Sequence, residues 1–158
     1  MQTLDDFIAS MTRLSNELPA LVLKNTEVAA LDALALVDAR ITDTGINASG
    51  AAFDDYTPSY KKAKAKKGRY RGHVDFSLTG QMLASTTTGF ERIGPTEKSI
   101  SGARARVAFD GRDDLTRKKL EGNSKKRPGF LNPSEREMEL VNKAANTNME
   151  RDIAEFFQ

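Results

Sequence analysis

Three aspartates, Asp54, Asp55 and Asp75, are the residues of this sequence whose type could gather a divalent metal ion. Metal-dependent nucleases use such carboxylate clusters. The pair Glu97-Lys98 has a weak similarity to part of a nuclease motif. The aspartates lie in predicted turns or alternate with apolar residues, so exposed surface carboxylates explain them equally well. A metal-dependent nuclease is therefore a minor alternative, and we expect no metal site.

The single histidine, His73, could act as a general base. No serine or acid forms a recognisable nucleophile motif beside it, so we interpret it as an ordinary residue at a strand edge. The 158-residue sequence has no cysteine, which excludes disulfides, thiolate zinc sites and cysteine nucleophiles. It also lacks the glycine-rich loops that cradle phosphates or dinucleotides. We therefore expect that the protein is not an enzyme and uses no cofactor.

The strongest local signal is the basic segment 61–71, which holds seven basic residues and no acidic residue. The rest of the sequence carries 17 basic and 22 acidic residues, so charge is segregated although the net charge is only +2. Three interpretations stay open: nucleic-acid binding with Tyr60 and Tyr70 stacking on bases, a solvated loop, and docking to an acidic protein surface. We favour docking. The predicted docking residues are Lys61, Lys62, Lys64, Lys66, Lys67, Arg69 and Arg71, and the predicted anchors of this segment are Phe53, Tyr56 and Tyr60.

The elements that would position these residues begin with a helical region at 3–43. Apolar residues from Leu4 to Leu18 recur at the i, i+3, i+4, i+7 spacing of one helical face. Thr3 is a suitable N-cap, since its hydroxyl can accept from a free backbone N–H of the first turn. Pro19 lacks a backbone donor, so we expect it to end or kink the first helix and a second helical stretch to follow.

A different periodicity starts at Val74. Val74, Phe76 and Leu78 alternate with polar residues, which predicts a short half-buried strand. The segments 85–93 and 99–109 predict a β-hairpin within a small antiparallel sheet.

Two polar segments separate these elements. The sequence predicts an extended basic loop over 45–73 and a polar connector over 110–132. Loops of this length in a compact domain are usually functional or disordered. A last helix over 133–157 is predicted, with Ser134 and Glu137 at the spacing of a capping box.

Taken together, the pattern predicts one domain over 1–158. Its strands and hairpin, at 74–109, come in one block rather than alternating with long helices, which favours an α+β fold. The small antiparallel sheet would be flanked by a long N-terminal helical region and a C-terminal helix. No apolar run approaches the roughly 20 residues of a membrane span, and the acidic start of the sequence predicts no export signal.

Two motifs in a fixed order carry a resemblance to a known family. The first runs Ile41…Gly45-Ile-Asn-Ala-Ser-Gly-Ala-Ala-Phe53-Asp-Asp-Tyr56-Thr-Pro-Ser-Tyr60, then a lysine-rich stretch, then Val74-Asp-Phe-Ser-Leu-Thr-Gly-Gln-Met-Leu83. The second is Arg127-Pro-Gly-Phe-Leu-Asn-Pro-Ser-Glu135. This succession resembles the virion-morphogenesis proteins of tailed bacteriophages that complete the tail or join head and tail. It covers residues 28–158, whereas the first helix, 3–18, does not map onto the family and 110–129 matches poorly.

This resemblance implies a structural subunit with a tail-terminator-like fold at the neck or at the top of the tail. Such a subunit would bind copies of itself in a ring, expected to be a hexamer, and would contact other neck, connector or tail proteins. Its location would be the virion, and the host cytoplasm during assembly. The family carries no catalytic residues, so none is transferred. A nucleic-acid-binding module that uses residues 61–71, or non-specific contact with DNA in transit, is the alternative; no membrane partner is expected.

Overall fold

The computed structural model describes residues 3–76, 91–93, 104–106 and 113–158. Most of these residues are helical. The α-helices among them are α1 (Leu4–Ala39), α2 (Pro58–Lys66), α3 (Asp114–Lys126) and α4 (Glu135–Ala154). A π-helical turn, Arg40–Thr44, continues α1, and a 3-10 turn, Glu155–Phe157, continues α4.

The predicted α+β fold, with its tail-terminator-like small antiparallel sheet and hairpin, is wrong for this mostly helical structure. Strand structure within the described residues is confined to β1 (Glu91–Ile93) and β2 (Arg104–Arg106), which pair antiparallel, and to a single bridge between Ile46 and Ala52. Residues 77–78, 85–90, 99–103 and 107–109 of the predicted strands lie outside the described residues.

The predicted strand beginning at Val74 fails for a physical reason. Val74, Asp75 and Phe76 are all buried, so the polar residue between the two apolar ones does not face water. Alternation of apolar and polar residues predicts a strand only when its polar face is solvated. Here the polar side chain enters the interior because a buried lysine compensates its charge, as described below.

Helix α1 continues through Pro19, so the helix does not end at this residue as one form of the prediction expected. Proline removes one backbone hydrogen bond, but its fixed φ is helical, and flanking turns can carry the helix past it. The predicted cap at Thr3 is confirmed: the Asp6 N–H donates to the Thr3 hydroxyl at 3.2 Å and Asp6 accepts from the Thr3 N–H at 2.9 Å. The π-helical turn ends at Gly45, which has φ +66°.

The chain divides into two compact units. The N-terminal unit comprises Met1–Asp32, Phe90–Arg106 and Glu139–Gln158, and the central unit comprises Ala33–Gly89 and Val107–Met138. Over these ranges the sequence of the central unit has 16 basic and 11 acidic residues, a net charge of +5. The N-terminal unit has 8 basic and 11 acidic residues, a net charge of −3.

The central unit contains the described apolar core. Its buried members are Val37, Ile41, Val74, Phe76, Leu120 and Phe130, and Phe53, Tyr56 and Leu131 pack against them. The α4 N-terminus joins this unit through the predicted capping box, which is confirmed: the Ser134 N–H donates to Glu137 at 2.6 Å and the Glu137 N–H donates to the Ser134 hydroxyl at 3.3 Å. Glu137 also accepts from Arg40 Nε at 2.9 Å.

In the N-terminal unit, α1 pairs with the end of α4 through mixed contacts. The Phe7 and Phe157 ring centroids are 5.9 Å apart, and the Arg13 guanidinium lies 4.8 Å from the Phe156 ring centroid. The Asn25 amide donates to Asp152 at 3.2 Å, so the acidic residue that interrupts the apolar face of α4 has a buried polar partner on α1.

Helices α2 and α3 occupy parts of the predicted basic loop and of the predicted polar connector. Residues 58–66 are helical within the expected loop 45–73, and residues 114–126 are helical within the expected connector 110–132. Among the described residues, no helix combines the length and hydrophobicity that crossing a membrane requires.

Candidate functional site

A buried ion pair organises the basic segment. Lys64 Nζ on α2 contacts Asp75 Oδ1, with both side chains almost completely removed from solvent. The Tyr56 hydroxyl donates to the same carboxylate oxygen at 3.0 Å and accepts from the Phe76 N–H at 2.8 Å. Lys64 Nζ also lies 4.9 Å from the Tyr56 ring centroid. The network fixes α2 to the chain segment at Asp75 with its charges compensated.

The helical spacing of α2 decides which lysines face solvent. Pro58 lies in the first turn, where its missing N–H costs no helical hydrogen bond. Tyr60 and Lys64 are four residues apart and share the face that turns inward, whereas Lys62 and Lys66 share an exposed face. Lys64 therefore has a structural role, whereas Lys62 and Lys66 remain exposed and accessible to a partner.

The seven predicted docking residues accordingly have different environments. Lys64 is buried and offers no surface to a partner, which corrects its predicted role. Lys61 pairs with Asp55, and Arg71 donates to the Thr42 carbonyl at 3.3 Å and lies 3.6 Å from Asp43. The exposed members are Lys62, Lys66, Lys67, Arg69 and Arg71.

The three predicted anchors lie beside this network. Phe53 makes edge-to-face contacts with Phe76, at 4.9 Å between ring centroids, and with Phe130, at 6.5 Å. The Tyr56 and Tyr60 rings are 4.8 Å apart. Burial, followed by the nearby Asp75 charge, raises the pKa of both tyrosines above the usual range. The raised pKa keeps both phenols protonated even in mildly alkaline solution, and the Tyr56 hydroxyl donates its hydrogen to Asp75.

The backbone at Phe76 is strained. Its φ is +51°, in the left-handed region that a bulky side chain disfavours by about 1–2 kcal/mol. The Phe76 ring is held by Phe53, by Phe130 at 5.2 Å and by the Arg127 guanidinium at 5.1 Å from the ring centroid. Packing on three sides stabilises a conformation that the backbone alone would not adopt.

A cavity of about 560 Å³ adjoins this cluster within the central unit. The residues that line it include the aromatic Tyr56, Tyr60 and Phe76 and the cationic Lys119, Lys126 and Arg127. Sequence reasoning missed these three cations, since it interpreted their segment as a polar connector. The seven-residue spacing of Lys119 and Lys126, which places both on one helical face, was the signal that could have indicated them.

The aspartates and the histidine that could serve metal or acid–base chemistry do not form a common cluster among the described residues. In the described part of the chain, no three histidine, aspartate or glutamate side chains form a group that could hold a metal ion. Asp75 is engaged by Lys64 and Tyr56, and His73 Nε2 lies 2.9 Å from the Thr42 carbonyl oxygen. Glu97-Lys98 lies outside the described residues.

Comparisons of the chain with protein-family models, with curated proteins and with solved structures found no match.

Proposed function

We propose that this protein is a structural subunit of a tailed-phage virion that takes part in joining head and tail. It would act by binding copies of itself, as a ring, and neighbouring neck, connector or tail proteins. The order of the two sequence motifs, from Ile41 to Leu83 and from Arg127 to Glu135, supports the phage assignment. The proposal concerns the role and not the tail-terminator-like fold, which the helical structure contradicts.

The observation that carries an assembly role is the apolar face at the start of α1. Leu4, Phe7, Ile8 and Met11 follow the spacing of one helical face and are 74%, 46%, 54% and 45% exposed. A contiguous exposed apolar patch on a folded protein is typical of a protein–protein interface. Such a patch is expected on an assembly subunit, because its partners bury the patch in the finished particle.

The basic segment adds an electrostatic component to this role. Lys62, Lys66 and Lys67 are exposed on or directly after α2, and the buried Lys64–Asp75 pair holds that helix in place. Exposed charges on a fixed element steer the encounter with an oppositely charged surface and set its orientation.

The test is complementation of a phage that lacks the gene. We expect the wild-type protein to restore complete particles, and the Leu4→Ser/Ile8→Ser variant to leave unjoined heads and tails in electron micrographs. The matched control is Leu115→Ser/Leu140→Ser, which removes two leucines that are 62% and 51% exposed and lie outside α1.

Complete, infectious particles formed without the gene would overturn the virion role. Equal defects in both double variants would show that the α1 face is not the assembly surface. Circular dichroism spectra and melting temperatures of the purified variants would show that each of them is folded.

A further inference from the structure

The cavity in the central unit combines two kinds of surface, aromatic and cationic, to which the proposed virion role gives no function. Its lining includes the aromatic residues Tyr56 and Tyr60 and the cations Lys119, Lys126 and Arg127. Its volume, about 560 Å³, lies within the range of about 300–1,000 Å³ that is usual for small-ligand sites.

The cations of the cavity are positioned by α3. The Asp113 carboxylate caps this helix by accepting from the Thr116 N–H at 2.7 Å, and Thr116 and Leu120 are buried beneath it. Lys119 and Lys126 lie on the flank of the helix beside this buried face, and both are exposed where they line the cavity.

Arg127 contributes a positive charge that its own contacts do not neutralise. Its Nη1 donates to the Asn123 side-chain oxygen at 3.0 Å and its Nη2 donates to the Asp54 carbonyl at 3.4 Å. Both acceptors are uncharged. The one carboxylate that lines the cavity, Asp55, is paired with Lys61, so the field inside the cavity is positive.

Positive charge also continues beyond the cavity on α2, where Lys62 and Lys66 are exposed. A small anion would need only the cavity, whereas cations both in the cavity and beside it suit a polymer that carries regularly spaced negative charges. Aromatic faces beside such cations are the arrangement on which unpaired bases stack.

We propose that this cavity binds single-stranded nucleic acid, with a base against the rings of Tyr56 and Tyr60 and the adjacent phosphates at Lys119, Lys126 and Arg127. An acidic peptide would use the cations without needing the aromatic wall. Duplex DNA would offer phosphates, but its bases are stacked inside the helix and do not reach the rings. This inference does not depend on the virion role.

The test is fluorescence anisotropy of the full-length protein with a fluorescein-labelled oligothymidylate of about 12 nucleotides, a length that spans one typical site. A duplex of the same length and a polyglutamate peptide of matched charge serve as competitors. We expect the single strand to bind at least about tenfold more tightly than either competitor, and its affinity to fall steeply with salt.

Paired variants separate the cavity from general positive charge. Lys119→Ser/Lys126→Ser should weaken binding about tenfold, whereas Lys118→Ser/Lys125→Ser, with the same charge change on the same helix, should weaken it less than about threefold. Tyr60→Leu should weaken binding and Tyr60→Phe should retain it, because the phenylalanine ring still stacks.

Three results would overturn the proposal: absence of oligothymidylate binding at low salt, equal or tighter binding of the duplex or the polyglutamate peptide, and equal losses in the two lysine double variants. Far-UV circular dichroism of each variant would verify its fold. If a lysine variant unfolds, the comparison of Tyr60→Leu with Tyr60→Phe still tests whether a base stacks on this ring.

Discussion

At the scale of single residues, the interior of the central unit depends on compensated charge. Lys64 and Asp75 are buried together, and Tyr56 donates its hydroxyl hydrogen to the same carboxylate. Burying either charge alone would cost several kcal/mol, because the charged group loses its hydration and no opposite charge compensates for that loss. The basic segment is therefore held by the most deeply buried of its own lysines.

Replacing Lys64 with methionine should strongly destabilise the protein. The change leaves the Asp75 carboxylate buried without its cation, and we expect the free energy of unfolding to fall by about 3–5 kcal/mol. Urea denaturation followed by circular dichroism would measure it. Lys66→Met, on the exposed face of the same helix, should change stability by less than about 0.5 kcal/mol. A loss in Lys64→Met as small as that of Lys66→Met would contradict the structural role of the pair.

The capping carboxylate Glu137 should make stability depend on acid pH. Burial raises the pKa of Glu137, but hydrogen bonds from Ser134 and the Arg40 guanidinium outweigh burial and hold the pKa below its usual value of 4.5. The folded state therefore binds this proton less readily than the unfolded state. The resulting stabilisation is complete above pH 4.5 and is lost as pH falls through the lowered pKa.

The matching variant is Glu137→Gln. We expect it to be less stable than the wild type at pH 7, because Arg40 loses its charged partner, and to lose less additional stability between pH 5 and pH 3. Melting temperatures recorded over that pH range would show this. Parallel curves for the two proteins would mean that Glu137 does not contribute to the acid dependence.

At the scale of elements, helix ends decide where the chain can turn. Helix α1 and its π-helical turn stop at Gly45, whose positive φ a side chain disfavours. A Cβ added there would lie 2.7 Å from the His73 ring, which is closer than such atoms approach in proteins. Both the backbone conformation and the close approach of His73 require glycine at this position.

Gly45→Ala and Gly50→Ala form a matched pair that separates these two effects. Gly50 also has a positive φ, +83°, but an added Cβ would meet nothing within 4 Å. We expect Gly50→Ala to lose about 1 kcal/mol from the backbone alone and Gly45→Ala to lose about 1–3 kcal/mol more from overpacking. Chemical denaturation would measure both values. Equal losses would show that contact with His73 has no energetic consequence.

At the scale of the whole molecule, charge is divided between the two compact units. The central unit carries +5 and the N-terminal unit −3 by sequence, although the chain as a whole is only +2. The field that a charged partner meets is set by the local distribution and not by the total. The protein should therefore bind a polyanion through its central unit in spite of the small net charge.

A matched pair of lysine variants tests this division on a heparin column. Lys62→Ser and Lys143→Ser each remove one exposed lysine, from the central and the N-terminal unit respectively. We expect Lys62→Ser to elute at a clearly lower salt concentration than the wild type and Lys143→Ser to elute close to it. Equal shifts would mean that total charge, and not its distribution, controls retention.

Local features could be predicted from the sequence alone, because they depend on residues that are close together in the chain. The Thr3 cap, the Ser134–Glu137 capping box and the helical character of 3–43 follow from side chains that meet the backbone within one turn, so spacing is sufficient to predict them. The segregation of charge into residues 61–71 is likewise visible in the sequence.

Features that depend on partners distant in the chain could be seen only in the folded protein. The alternation at Val74 predicted a strand with Asp75 in water, but Lys64 and Tyr56 compensate this carboxylate in the interior. The same contact removed Lys64 from the predicted docking surface, while folding placed the cations of α3 beside the tyrosines to form a cavity that no local pattern indicates. Burial and charge compensation are properties of the packed chain, because each depends on which remote side chain occupies the neighbouring space.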